Sequence, residues 1–297
     1  MIYNTLDNTD ISISEFGFGA SPLGNIFNNP ISDNEAQRCI KTAIDNGINY
    51  FDVAPYYGNG LAEKRLATLL GKESKKIILS TKVGRYGKNK FDFSTNKIDE
   101  SIHHSLKLFS REHLDIVFCH DIEFVDSKTI LETALPHLIK LKKKGMIQAI
   151  GISGYPLDIL YNIAKQFPID LILSYSQYTL INQSLKTYQK KFQKLGINSI
   201  NASPFDMGLL TQHNCPTWHP ASNALQKKIK ILANNYHKKG ISLEKVAFQY
   251  TLSYKQALSH LIGIGSHQEL EQCINWYKTP LDSFQKNNIQ TIINELN

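Results

Sequence analysis

Long apolar runs are absent from this 297-residue chain. No stretch of about 18 apolar residues occurs, so no membrane-spanning helix is predicted. The opening 14 residues are polar and carry Asp7 and Asp10, which is no secretory leader. Cysteine is scarce: Cys39, Cys119, Cys215 and Cys273 lie far apart and form no CxxC pair. That pattern excludes a disulfide framework and a cysteine zinc site, and it points to reduced thiols in the cytoplasm. A GxGxxG turn is missing too. The glycines of Gly17-Phe18-Gly19-Ala20-Ser21-Pro22-Leu23-Gly24 have another spacing, and Pro22 would break a helix started there. The net charge of +7 comes from lysine clusters such as 140–144, 190–191 and 227–230. No aromatic residues interleave them along one ribbon, so nucleic acid is not a predicted partner. The lysines read as a solvated surface.

What is present is ample material for a core. Hydrophobic residues make up 42% of the chain and charged residues 20%, which excludes disorder. Short β-branched runs recur at 16–20, 48–52, 77–81, 115–119, 148–152, 170–174, 198–202 and 261–264. Most are apolar on both faces, as parallel strands covered by helices are. Between them lie stretches of helical period. Ser32 and Glu35 have capping-box spacing, and Asn46-Gly47, Lys144-Gly145 and Leu195-Gly196 have the form of helix stops before a strand. The gap from 202 to 261 holds two helical segments, near 224–239 and 243–253. A last amphipathic stretch, 280–296, reads as an added C-terminal helix. Eight strand–helix repeats without a linker predict an α/β fold, a single (β/α)8 TIM barrel over residues 1–297. An open doubly wound sheet is the alternative.

The chemistry gathers at strand ends. Asp52 closes the second run, Lys82 follows the third, His120 follows the fourth, and Tyr57 lies in the turn after Asp52. In a barrel these positions face one mouth. A phenol titrates near 10, and an ammonium within about 4–6 Å favours its phenolate. Asp52 can hold Lys82, and His120 can donate to a substrate oxygen. The set reads as an acid/base aimed at an alcohol or carbonyl. Each member has a plainer reading: Asp52 as a turn cap, Tyr57 as one of 14 tyrosines, and His120 with Asp121 as half of a metal site. No further ligand lies at metal spacing, so no metal is predicted.

Taken in order, NYFDVAPYYG, ILSTKVG, FCHD, GISG, ASPFDMGLL and LIGIGSHQELEQ resemble the aldo-keto reductase superfamily over essentially the whole chain. GFGASPLGNIF and WHPAS are similar to the branch that oxidises aldoses such as L-galactose at C1. The resemblance implies a catalytic tetrad of Asp52, Tyr57, Lys82 and His120. It implies a nicotinamide site formed by Ser153, Tyr175 (or Gln177), the loop Ser203-Pro204-Phe205, and Gly265, Ser266, Glu269 and Gln272. Two positions depart from the family: Gly154 stands where an asparagine is usual, and Ala202 where an aromatic is. Relatives that prefer NADP present a lysine and an arginine where Gly263 and Glu269 stand here. Glu269 would repel a 2′-phosphate, so NAD is expected over NADP. Trp218 and His219 are expected to wall a sugar pocket. The implied activity is aldose 1-dehydrogenation to a lactone, by a monomer or weak homodimer acting on a small sugar. An aldehyde reductase, a pyridoxal-type hemiacetal dehydrogenase and a non-catalytic nucleotide-binding subunit are the other readings.

Overall fold

The structure, a computed structural model, describes residues 1–26, 30–211, 215–216 and 219–296. Eight parallel strands close into a barrel: β1 (Phe16–Gly19), β2 (Tyr50–Asp52), β3 (Ile78–Val83), β4 (Leu114–Cys119), β5 (Ile147–Gly154), β6 (Leu171–Tyr175), β7 (Asn198–Ala202) and β8 (Ser259–Gly263). Each pairs with its sequence neighbour, and β8 closes the ring on β1 through His260↔Phe16. All eight expected runs are strands, displaced at their ends by no more than two residues. The α-helices that cover them begin with α1 (Asp33–Asp45), α2 (Leu61–Leu70), α3 (Thr95–Leu108), α4 (Leu135–Lys143), α5 (Leu157–Ala164) and α6 (Ser184–Gln193). Two further helices, α7 (Asn223–Lys238) and α8 (Leu243–Leu252), separate β7 from β8, followed by α9 (His267–Lys278) and the added α10 (Ser283–Leu296).

Two apolar layers follow from the pleat. Residues pointing outward, such as Ile150 and Ile152, pack on the helices. Inward residues, including Tyr50, Ile116, Phe118, Ala149, Leu171 and Ile200, fill the barrel. Alternation along β5 sends Ile150 and Ile152 out and Ala149 in.

Two features of the fold differ from the sequence reading. The polar N-terminus folds into an antiparallel hairpin, Tyr3–Thr5 with Ser12–Ser14. Its Leu6, Ile11 and Ile13 join the inner cluster, so the hairpin plugs the N-terminal end of the barrel. Strands of three residues are too short to show a period. The capping box is half made. Ser32 Oγ accepts from Glu35 N at 3.2 Å, but the Glu35 carboxylate accepts from His267 N at 2.8 Å instead of from Ser32. It therefore ties α1 to the start of α9. The glycine stops are as expected, with φ of +82° at Gly47, +77° at Gly145 and +70° at Gly196.

Candidate active site

At the C-terminal mouth, the end of β2 meets the end of β3. Lys82 Nζ donates to Asp52 Oδ2 at 2.5 Å and to Val53 O at 3.0 Å. Asp52 Oδ1 accepts from Ser80 Oγ at 2.6 Å, and Tyr50 OH lies 3.0 Å from Ser80 Oγ. Lys82 and Asp52 are 1% and 2% exposed, so this ion pair is fully desolvated. Burial pushes the Asp52 carboxyl up, while Lys82 and Ser80 pull it back.

The Tyr57 ring lies in front of the pair, with Lys82 Nζ 4.9 Å from its centroid. The turn that carries it is clamped by two glycines. A Cβ on Gly24 would stand 2.6 Å from the Tyr57 carbonyl carbon, and one on Gly58 (φ +64°) would fall on the Gly24 carbonyl. Only bare backbones pass so closely. His120 closes the group: its ring is 5.7 Å from that of Tyr57, at 89°. The structure thus brings Asp52, Tyr57, Lys82 and His120 to one place.

The electrostatics depart from expectation. Lys82 was expected to lower the Tyr57 phenol. Instead burial pushes it well above 10, helped by Asp52 and Asp121 and opposed by Arg85. Desolvation is the largest cause, and Asp52, bonded to Lys82, sets a negative charge against the ammonium beside the phenol. Tyr57 is therefore a neutral acid in this state. His120 is pushed down to about 3 by burial and by the cations Lys82 and Arg85, against Asp121. It is a neutral imidazole at ordinary pH.

Three residues of the mouth have no acid–base role in the sequence reading. Arg85, just past β3, bonds Asp121 through Nη1 and lies 3.9 Å over the Tyr56 ring. Asp121 Oδ2 stands 3.4 Å from His120 Nε2. Glu123 reaches back over the end of β5, where Oε1 accepts from Tyr155 N at 2.9 Å. A Cβ at position 154 would collide with Glu123 Oε2, so a glycine there makes room for the glutamate. The signal for Asp121 was its place beside His120; it was weighed only as a metal ligand. Among the described residues no cluster of three or more His, Cys, Asp or Glu could hold a metal ion.

The other expected positions spread around the mouth. Ser153 is buried at the end of β5, with Oγ 3.4 Å from Asp121 N and from Cys119 O. Those long contacts leave its hydroxyl able to take a better partner. Tyr175 ends β6 half-buried, 5.5 Å from the Tyr155 ring, whereas Gln177 is buried and accepts from Asn182 Nδ2 at 3.3 Å. After β7, Ser203, Asp206, Met207 and Gly208 all have positive φ, which folds the backbone into a tight cradle at the mouth. Pro204 is buried there, and the Phe205 ring packs 6.4 Å from Trp276. Ser266 caps α9 by accepting from Glu269 N at 3.2 Å, and Gly265 N donates to Glu269 Oε2 at 2.9 Å. Glu269 thus serves the helix start, as a first-turn acid does. Gln272 is exposed on the same helix. Trp218 lies outside the described residues. His219 is buried, its Nε2 donating to Asp206 O at 3.0 Å while Nδ1 accepts from Ala221 N at 3.0 Å. With both nitrogens used, it braces the loop.

Residues 15–294 match the model of the Aldo/keto reductase family. The chain is 39% identical over 277 residues to an L-galactose dehydrogenase of Arabidopsis thaliana, covering 90% of this chain and 85% of that protein. It is 30% identical over 281 residues to a D-arabinose 1-dehydrogenase of Saccharomyces cerevisiae, covering 90% and 84%. Among solved structures, the holo form of the aldo-keto reductase AKR11C1 from Bacillus halodurans superposes with a TM-score of 0.80 at 24% identity, over 98% of this chain and 96% of that one. A match across nearly the whole barrel, with the tetrad residues gathered at its mouth, means that this chain belongs to the aldo/keto reductase family.

Proposed function

We propose that this protein oxidises an aldose at its anomeric carbon to the lactone, with NAD as hydride acceptor. The observation that carries the reading is the convergence of Tyr57, His120 and the Lys82–Asp52 pair on one mouth. Two relatives at 30% identity or more, named as dehydrogenases of L-galactose and D-arabinose, supply the substrate class.

NAD, when bound, would supply the carbon that receives the hydride. The donor set fits such a group: Ser153 has a hydroxyl with only long partners, and the run after β7 folds backbone into a cradle. Tyr175 flanks Ser153's side of the mouth more openly than Gln177, which is spent on Asn182. The roles of this chain's residues follow from charge. His120, neutral, donates to the anomeric oxygen. Tyr57 receives the proton of the C1 hydroxyl while the C1 hydride departs, so that C1–O becomes a carbonyl. To do so it must first lose its own proton, which is costly in the state described here. Lys82 stabilises the phenolate once formed, and Asp52 keeps Lys82 in place. His219 braces the loop on the substrate side, and Trp218 remains a candidate sugar contact. Gly263 and Glu269 offer no cation to a 2′-phosphate, which favours NAD.

Aldehyde reduction is the second reading, and one observation favours it: a buried, protonated Tyr57 is ready to donate to a carbonyl oxygen. Initial rates at 340 nm with L-galactose, L-fucose, D-arabinose and pyridoxal, each with NAD and NADP, decide between them. An aldose with NAD is expected to be fastest. Faster reduction of aldehydes by NADH would overturn the oxidative reading, and equal use of NADP would overturn the cofactor choice.

A further inference from the structure

A neutral imidazole carries one proton, and only the nitrogen that bears it can donate. His120 is such an imidazole, and its two nitrogens have unlike surroundings. Nδ1 is buried without any hydrogen-bond partner. Nε2 faces the carboxylate of Asp121, with Oδ2 3.4 Å away. A buried N–H without an acceptor is rarer and costlier than a buried lone pair without a donor. The carboxylate also attracts the N–H dipole at Nε2 and would repel a lone pair there. Both considerations place the proton on Nε2.

The carboxylate is itself held. Arg85 bonds the same Oδ2 through Nη1, and the guanidinium is packed against Tyr56 (3.9 Å), Phe124 (5.2 Å) and Phe91 (5.3 Å). Asp121 takes φ +49°, a left-handed conformation that Asp tolerates better than most residues. That turn brings its side chain back beside His120 instead of letting it leave for solvent. The other charged or titratable groups around the imidazole are Lys82, Arg85, Tyr56 and Tyr57, none of which is a carboxylate. Asp121 is thus the anion that selects between the nitrogens.

We infer that Asp121, anchored by Arg85, is a positioning residue that sets the tautomer of His120 to Nε2–H. The inference rests on the proposed reading, in which His120 donates to the substrate oxygen, for its kinetic consequence only. The tautomer itself is independent of which substrate is turned over.

Nitrogen-15 NMR of the imidazoles tests it in the intact protein with bound NAD, assigning His120 by the signal lost in His120→Gln. Wild type is expected to show Nε2–H at tenfold excess or more from pH 6 to 9. Asp121→Gly suits the left-handed backbone and leaves the cations Lys82 and Arg85 as the charges acting on the imidazole, so the proton is expected to move to Nδ1 or to divide evenly. Asp121→Asn keeps an oxygen without its charge and is expected to fall between. In step, kcat for the aldose is expected to drop about 10- to 100-fold in Asp121→Gly, with the Kd for NAD changed less than threefold. A wild-type signal already at Nδ1–H would overturn the inference, even if no variant folds. So would an Asp121→Gly protein with the wild-type tautomer ratio. A wild type that shows the expected tautomer yet oxidises no aldose would count against the proposed activity alone.

Discussion

Two desolvated ion pairs sit at opposite ends of the barrel, and they are built differently. At the N-terminal floor, Arg111 bonds Asp115, Ser74 O, Ser74 Oγ at 3.3 Å and Ile77 O at 2.6 Å. Asp115 Oδ2 in turn accepts from Leu79 N at 2.7 Å. That cation makes four bonds with its five N–H donors, no buried side-chain nitrogen or oxygen of either partner is left without a hydrogen bond, and the pair stitches β3 to β4. At the mouth, Lys82 has three donors but finds protein acceptors for two, and the head lies over a phenol. Unpartnered buried atoms gather near it, at His120 Nδ1, Arg85 Nε and Glu123 Oε2. A pair kept for structure satisfies itself; a pair kept for chemistry leaves capacity unspent.

The sharpest way to break this contrast is to disarm the mouth. Tyr57→Phe should reduce aldose turnover about 10²–10⁴-fold, the range for a lost acid/base, while NAD binding and Tm stay near wild type. Turnover in the variant within tenfold of wild type would remove Tyr57 from the chemistry. On the floor, Arg111→Ala should instead cost about 3–5 kcal/mol of stability, because it strands Asp115 among apolar neighbours. Urea unfolding measures this, and the folded variant should keep its kcat. A large kcat loss with unchanged stability would erase the distinction drawn here.

Acid tests both ends together. His120 is pushed from 6.5 down to about 3 and His260, buried beside Asn201 and the Tyr254 carbonyl, down to about 4, both by burial. Folded pKa values depressed below the unfolded value make stability complete above pH 6.5 and lose it as pH falls toward 4. For His260 alone the loss approaches about 3 kcal/mol at pH 4, at 1.36 kcal/mol per unit. Tm should fall over that window, and His260→Gln should flatten the fall; a flat wild-type curve would contradict it. In the alkaline range the oxidation rate should climb with pH, since Tyr57 must ionise and its phenol is raised. A smaller effect belongs to the rim, where Glu269→Lys should improve NADP over NAD about tenfold in kcat/KM. An unchanged ratio would leave Glu269 with its helix-start role only.

The parts of this molecule legible in sequence were those written in near neighbours. The strand runs, the glycine stops and the polar residue after each run all depend on local period and turn chemistry. The Asp52–Tyr57–Lys82–His120 set could be drawn up because strand ends share one mouth in a barrel. The hairpin under the floor was not legible, since its three-residue strands have no period to read. Glu123 could not be paired with Gly154 from spacing, because the contact crosses from the turn after β4 to the tip of β5.

By itself the sequence determined the barrel, the direction of its strands and that Asp52, Lys82 and His120 at three strand ends reach its mouth, because apolar spacing and caps act over a few residues. The tertiary structure alone decided how those side chains are charged. Whether Tyr57 is acid or base, and which nitrogen of His120 faces the adjacent Asp121 carboxylate, depends on desolvation and on charged groups such as Arg85 that lie far along the chain. Such partners are chosen only when the ring of strands has closed.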